Sequence, residues 1–481
     1  MISPMSRRRL LAGGSALAAA ALTGAVSACE PSGAPGTAAT KAKTGKITWW
    51  DQFLPKAELE KRFFARSHAD GGPEVEYTPY NPNEQGKALQ LAKQSNQLPD
   101  VFTLAGLETA GITLQQSGWF RPLDNPDKIT ASLPDGTLIE GMHLFDGKLY
   151  SFPLSSFRSY VTMPWGNKAM LAKAGIEVTD GPQSFDDFRA KVKQAQDKTG
   201  VPGLVLNIAF LPRMANFVHE LAQQSGFAGA GGIEYATGAY NFHHQAYLDA
   251  IDFLASFKKD KLLLPASTQL DAREARARWA AEDAVWFIDG AFNAGVVSSD
   301  LTEFTKNLAV TQLPTADGAD PVVTSGPAGG DFWISAETPY GKECSELLLS
   351  FTSKEFRVGQ AEAMDNGPID LSVVQTSKAH PTYKQCCAWF ESHGRLGPSA
   401  IARNPEVAKV EAKLKTVKPD LGAIVQGVFS GDVSDVKTTL KRLSDDSEKA
   451  REAAITAAGS RLTGDAWAFT DWTRGEDYQA S

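Results

Sequence analysis

Tryptophans beside carboxylates and amides recur where the chain leaves or enters predicted strands, a pairing suited to holding a polar ring. Trp49-Trp50-Asp51-Gln52 closes one strand, and Ser155-Ser156-Phe157-Arg158-Ser159-Tyr160 follows Gly147-Lys148-Leu149-Tyr150-Ser151-Phe152-Pro153. Asp289-Gly290-Ala291-Phe292-Asn293 ends a strand over Val285 to Ile288, and Gly329-Gly330-Asp331-Phe332-Trp333 opens another. Ring C–H groups of a sugar stack on an indole while its hydroxyls pair with amides and carboxylates. In open α/β sheets, ligands sit at the carboxyl ends of strands. With Glu84, at the start of a predicted helix, the candidate ligand-binding set is Trp50, Asp51, Gln52, Glu84, Ser155, Tyr160, Phe292, Asn293, Gly330, Asp331 and Trp333. One cluster alone is weak, because a strand-end tryptophan is more often core.

Other chemistry is poorly supported. His219-Glu220-Leu221-Ala222-Gln223 approaches the zinc-protease helix motif, but Gln223 stands where the second histidine ligand belongs. His243 and His244 are adjacent, so they point in different directions in any regular structure. There is no GxSxG elbow, and no metal or cofactor is expected. The stretch from Gly226 to Gly232 has the glycines of a phosphate loop without a strand leading into it, so it reads as a connection. A carboxylate pair for glycan cleavage remains open, since any two acids could meet in a cleft.

The N-terminus carries chemistry of another kind. Ser6-Arg7-Arg8-Arg9-Leu10-Leu11 is a twin-arginine pattern, although three arginines would equally serve a general secretory signal. A glycine-diluted apolar run then ends at Val26-Ser27-Ala28-Cys29. A basic start, a short apolar middle and small residues before a cysteine make a lipoprotein signal over residues 1–28, with Cys29 the acylated residue. Removal of the signal takes three arginines and no acid, moving the balance from 48 basic against 56 acidic side chains to 45 against 56, a net charge of −11. Such a body has no electrostatic basis for binding nucleic acid. Acylation leaves Cys344 and the pair Cys386-Cys387, either as buried thiols or as one disulfide from Cys344 to a member of the pair.

Residues 29–45 read as the lipidated cysteine and a flexible Gly/Ala/Pro/Ser/Thr tether. Strands are expected at Lys46 to Trp50, Glu74 to Tyr77 and Leu98 to Phe102, with helices carrying Leu59, Phe63 and Phe64 and spanning 84–94 between them. That rhythm is α/β. Further helices fall at 167–174, 184–199 (capped by Ser184), 245–258 and 432–454, and the tail from Gly464 is surface-packed or frayed. A chain of 481 residues is too long for one core, so two domains are expected.

The order of the segments ITWWDQF, LPDVF, GWFRPLD, GKLYSFP, NKAMLAKAGI, PQSFDDF, VWFIDGAFN, GGDFWIS and NGPID resembles the extracellular solute-binding proteins of bacterial ABC importers, in the group that includes the maltose-binding proteins. The resemblance implies a two-lobed periplasmic-binding-protein fold with a cleft between lobes joined by crossing strands. It places residues 46–154 and 311–351 in one lobe and 155–310 and 352–481 in the other. Crossings then fall near Phe152 to Ser156, Ala309 to Pro314 and Phe351. It further implies a monomer, held by lipid to the outer face of the cell membrane, that captures a carbohydrate or similar polar solute and passes it to permease subunits. The alternatives are a lipid-anchored glycan hydrolase or lyase, and a sensory binding protein.

Overall fold

The computed structural model describes residues 40–479 apart from Glu108 and Asp180, so Cys29 and the signal lie outside the described residues. Two mixed sheets organise the chain. The first runs, in spatial order, Glu74–Pro79, Lys46–Asp51, Val101–Phe102, Phe332–Ile334 and Ser151–Phe152. Its first three strands are parallel, and Phe332–Ile334 is antiparallel to both neighbours. The second runs Leu308–Val310, Met163–Asn167, Trp286–Asp289 and Leu204–Val205, with Trp286–Asp289 parallel to Leu204–Val205 and antiparallel to Met163–Asn167.

Each sheet has its own core, which makes the protein two-lobed. Alternation along Lys46–Asp51 buries Ile47, Trp49 and Asp51 on one face. Phe63 and Phe64 of the helix Ala57–Ala69 meet Trp49, Phe332 and Phe351 there. In the second lobe Trp165, Phe188, Phe217, Tyr247, Trp279 and Trp286 fill the space between sheet and helices. Local signals explain the helix starts. Ser184 accepts from the Asp187 amide and Asp187 from the Ser184 amide, a capping box before Phe185–Thr199.

The crossings differ from those expected in two places. Residues 153–156 follow the strand Ser151–Phe152 at the edge of the first sheet. Leu308–Val310 belongs to the second sheet, and residues 315–325 stay on that lobe because Gln223 and Gln224 bond their side chains to the backbone at Val322 and Thr324. The chain joins the first sheet only at Asp331, whose amide donates to Phe152 O, so the second crossing spans Gly326–Gly330. Phe351 is buried inside the first lobe's core, stacked on Phe356. The third crossing comes later, where Ser155 bridges Pro368, Ser156 N donates to Gly367 O and Ile369 N to Leu154 O. Residues 352–481 are also not confined to one lobe. Ala408 and Ala412 pack with Trp119 and Trp333 of the first, while Val407 and Val410 meet Trp467.

No helix among the described residues is long and apolar enough to cross a membrane. Cys344, Cys386 and Cys387 are free and buried; Cys344 sits in the first lobe's core and the pair in the second's, so the possible disulfide is not formed. The tail is packed: Asp477 accepts from Arg158 at 2.6 Å and from the Leu396 amide at 2.7 Å.

Candidate functional site

Three adjoining cavities lie at the cleft and the crossings, and the largest is walled from both lobes. The smallest, about 220 Å3, is lined by Tyr160, Glu220, Phe292, Asn366 and Phe390 among others. It shares Ser159 with a cavity of about 280 Å3 at the crossings, lined by Ser155, Ser156, Gly329, Gly330 and Asp331. It shares Asn216 with the largest, about 890 Å3. That one takes Asn83, Lys87, Leu107 and Thr113 from the first lobe and Phe210, Pro212, Ala215, His219, Tyr240 and Phe242 from the second. The segment Glu411 to Gly422 completes its wall. Its size lies toward the upper end of the roughly 300–1,000 Å3 usual for small-molecule sites.

Of the expected residues, Ser155, Gly330 and Asp331 line the crossing cavity, and Tyr160 and Phe292 the small one. Asp331 ties two crossings together by accepting from the Leu154 and Ser155 amides at 2.6 and 3.0 Å. Burial pushes its carboxyl up, against the opposing pull of Lys56. The Tyr160 hydroxyl lies 3.2 Å from His393 Nδ1. Phe292 receives the Arg213 guanidinium at 4.8 Å from its ring centre, and Arg213 reaches Asp289 at 3.5 Å.

The remaining candidates are placed elsewhere. Asp51 falls on the Ile47–Trp49 face, where it accepts from Trp49 Nε1 at 2.9 Å, Phe53 N at 2.8 Å and Tyr77 Oη at 3.0 Å. Asn293 is buried with its Oδ1 taken by Arg276 Nε at 2.5 Å. Trp333 is 2 % exposed and stacks on Phe120 at 4.3 Å. These three hold the lobes' interiors together. Trp50 is half-buried on the opposite face of its strand from Asp51, 4.9 Å from Tyr80, and packs in the layer that includes Leu104 and Leu107. Gln52 accepts from Thr103 Oγ1, and Glu84 is exposed in the first turn of the helix Pro82–Gln94.

The large cavity was missed from sequence. Its walls come from residues 83–113, 209–242 and 411–450, and no sequence motif links these segments. One signal was available: Pro212, Ala215, Asn216 and His219 recur at helical spacing as small or polar residues, leaving one helix face without bulk. His219 is neutral near pH 7, since burial lowers it to about 4, and burial raises Glu411 to about 7. Glu220 accepts from the Val161 and Thr162 amides and from Thr162 Oγ1, which fixes the segment leaving the first crossing. Among the described residues no group of histidines, cysteines and carboxylates could hold a metal ion.

No curated protein matches the chain by sequence. In structure it is similar to a solute-binding protein of an ABC transporter from Thermotoga lettingae bound with α-D-tagatose (17% identity, TM-score 0.65, 84% of this chain and 99% of that one). It is similar to maltose-bound MalE3 of T. maritima (16%, 0.64, 84% and 99%). The GacH receptor of Streptomyces glaucescens, solved unliganded and with acarbose, has the same fold (17%, 0.61, 85% and 98%). Residues 62–385 match the family model described as bacterial extracellular solute-binding protein. Two lobes, a cleft walled from both of them and a sequence match over most of the chain agree, and the protein belongs to the bacterial extracellular solute-binding protein family.

Proposed function

We propose that the protein captures a carbohydrate or a related polar solute outside the cell and delivers it to the permease subunits of an ABC importer. The observation that carries this reading is a cleft walled from both lobes, with a smaller cavity adjoining it, whose linings set aromatic rings (Phe210, Tyr240, Phe292) beside amides, hydroxyls and carboxyls. A ligand touching both walls favours the state in which the lobes approach, and the closed form is what a permease would recognise. The hinge would be the crossings at Pro153–Ser156, Gly326–Gly330 and Asn366–Ile369. The protein binds and does not cleave in this reading, acts as a monomer, and is held to the outer membrane face by lipid on Cys29.

Titration calorimetry against neutral mono- and oligosaccharides, with product analysis of the same mixtures, tests it. Binding without product supports capture. Product formation would establish the hydrolase alternative instead.

A further inference from the structure

His219 lines the large cavity from the middle of the helix Leu211–Gln224. Its Nδ1 lies 2.7 Å from the Tyr247 hydroxyl, and the two rings meet edge to face with planes at 89°. With its pKa lowered to about 4 by burial, the imidazole near neutral pH has one N–H and one lone pair. Tyr247 decides which nitrogen has the proton. It is fully buried, and burial holds its hydroxyl well above the ordinary range, so the hydrogen stays on and needs an acceptor. The Gly232 amide donates to the tyrosine oxygen, and His219 Nδ1 is the acceptor in reach. Nδ1 therefore spends its lone pair, and the proton sits on Nε2. Nε2 makes no hydrogen bond to the described residues.

We propose that His219 presents a neutral Nε2–H, fixed by the Gly232–Tyr247 relay, to an uncharged oxygen of the bound carbohydrate, and so helps set the specificity of the cleft. The proposal rests on the carbohydrate reading above. An uncharged acceptor is the fitting partner, because a neutral donor in a half-buried wall offers a carboxylate or phosphate no opposite charge. Tyr247 is then a positioning residue that acts through His219.

The test is imidazole 15N NMR on the whole folded protein, with the His219 signals identified by their loss in His219→Gln. The free protein should show the Nε2-protonated tautomer throughout about pH 5.5 to 8. Maltose, raffinose and laminaribiose are the probes, each titrated in turn by calorimetry. A sugar that binds should move the Nε2 resonance. His219→Gln should weaken that sugar roughly tenfold, the scale of one lost hydrogen bond. Tyr247→Phe should mix the two tautomers and weaken binding by less. An Nδ1-protonated ring, a ring titrating near the ordinary 6.5, or a bound sugar that leaves Nε2 unmoved overturns the proposal. If none of the three sugars binds, the carbohydrate reading falls and the ligand contact with it, while the free-protein tautomer still decides the relay.

Discussion

Asn81 of the first lobe donates from Nδ2 to Asp271 Oδ2 of the second at 3.0 Å. Beside it Arg273 donates to the Tyr80 carbonyl at 3.1 Å, and Tyr80 in turn packs on Trp50. These two bonds join the lobes away from the crossings, so they act on closure. Asn81→Ala should weaken ligand by about threefold to tenfold and enlarge the ligand-bound radius of gyration in small-angle scattering. Asp271→Ala should do the same, and both variants should also lower the melting temperature. The other Asp271 oxygen caps the helix Ala272–Ala280 through the Glu274 amide, a contact worth about 1 kcal/mol. Asn81 caps the helix Pro82–Gln94 in the same way, its Oδ1 accepting from the Asn83 amide, so a variant of native stability would contradict the capping role of the residue it removes.

Trp50 and Trp333 should separate by assay. Trp333→Ala should cost about 3–5 kcal/mol in denaturant unfolding, because it empties a site filled against Phe120 and Gly111. Trp50→Ala, at a half-buried position packed on Tyr80, should cost less stability. A Trp333→Ala protein of native stability that has lost its ligand would return that tryptophan to the binding site.

Glu411 sets a pH dependence whose sign is fixed. Burial raises its folded pKa from 4.5 to about 7, so the folded state holds a proton that the unfolded state releases. The associated stability is present below the unfolded value and is lost as pH rises through about 7. Glu411→Gln should remove this slope, so the melting temperatures of wild type and variant should diverge as pH rises across that window. Parallel curves would show that Glu411 is ionised throughout.

Cys29→Ala should move the protein from the detergent phase to the aqueous phase in phase separation, and unchanged partition would remove the lipid anchor from the account. In that variant the remaining thiols should resist a thiol reagent until the protein unfolds. All three are buried, and burial pushes Cys387 up to about 12, which suppresses the reactive thiolate.

Local physics was legible in the sequence. Ser184 and Asp187 specify a helix start by themselves, and the strand Lys46–Asp51 shows its alternation in six residues. The same alternation groups Asp51 with Ile47 and Trp49, so its burial was readable and chemical type alone misassigned it. The ordered segments fixed the two-lobed class, because a family's pattern is spread along the whole chain. Which lobe residues 311–325 join was decided only in three dimensions, by two glutamine side chains that bond backbone some hundred residues away. The cleft was likewise out of reach. His219, Leu107 and Glu411 share a wall although they are separated by long stretches of chain, and only the packing of complete helices brings them together. Residue type and spacing report what neighbours along a chain can do, whereas a cavity is space left between elements after their cores have closed.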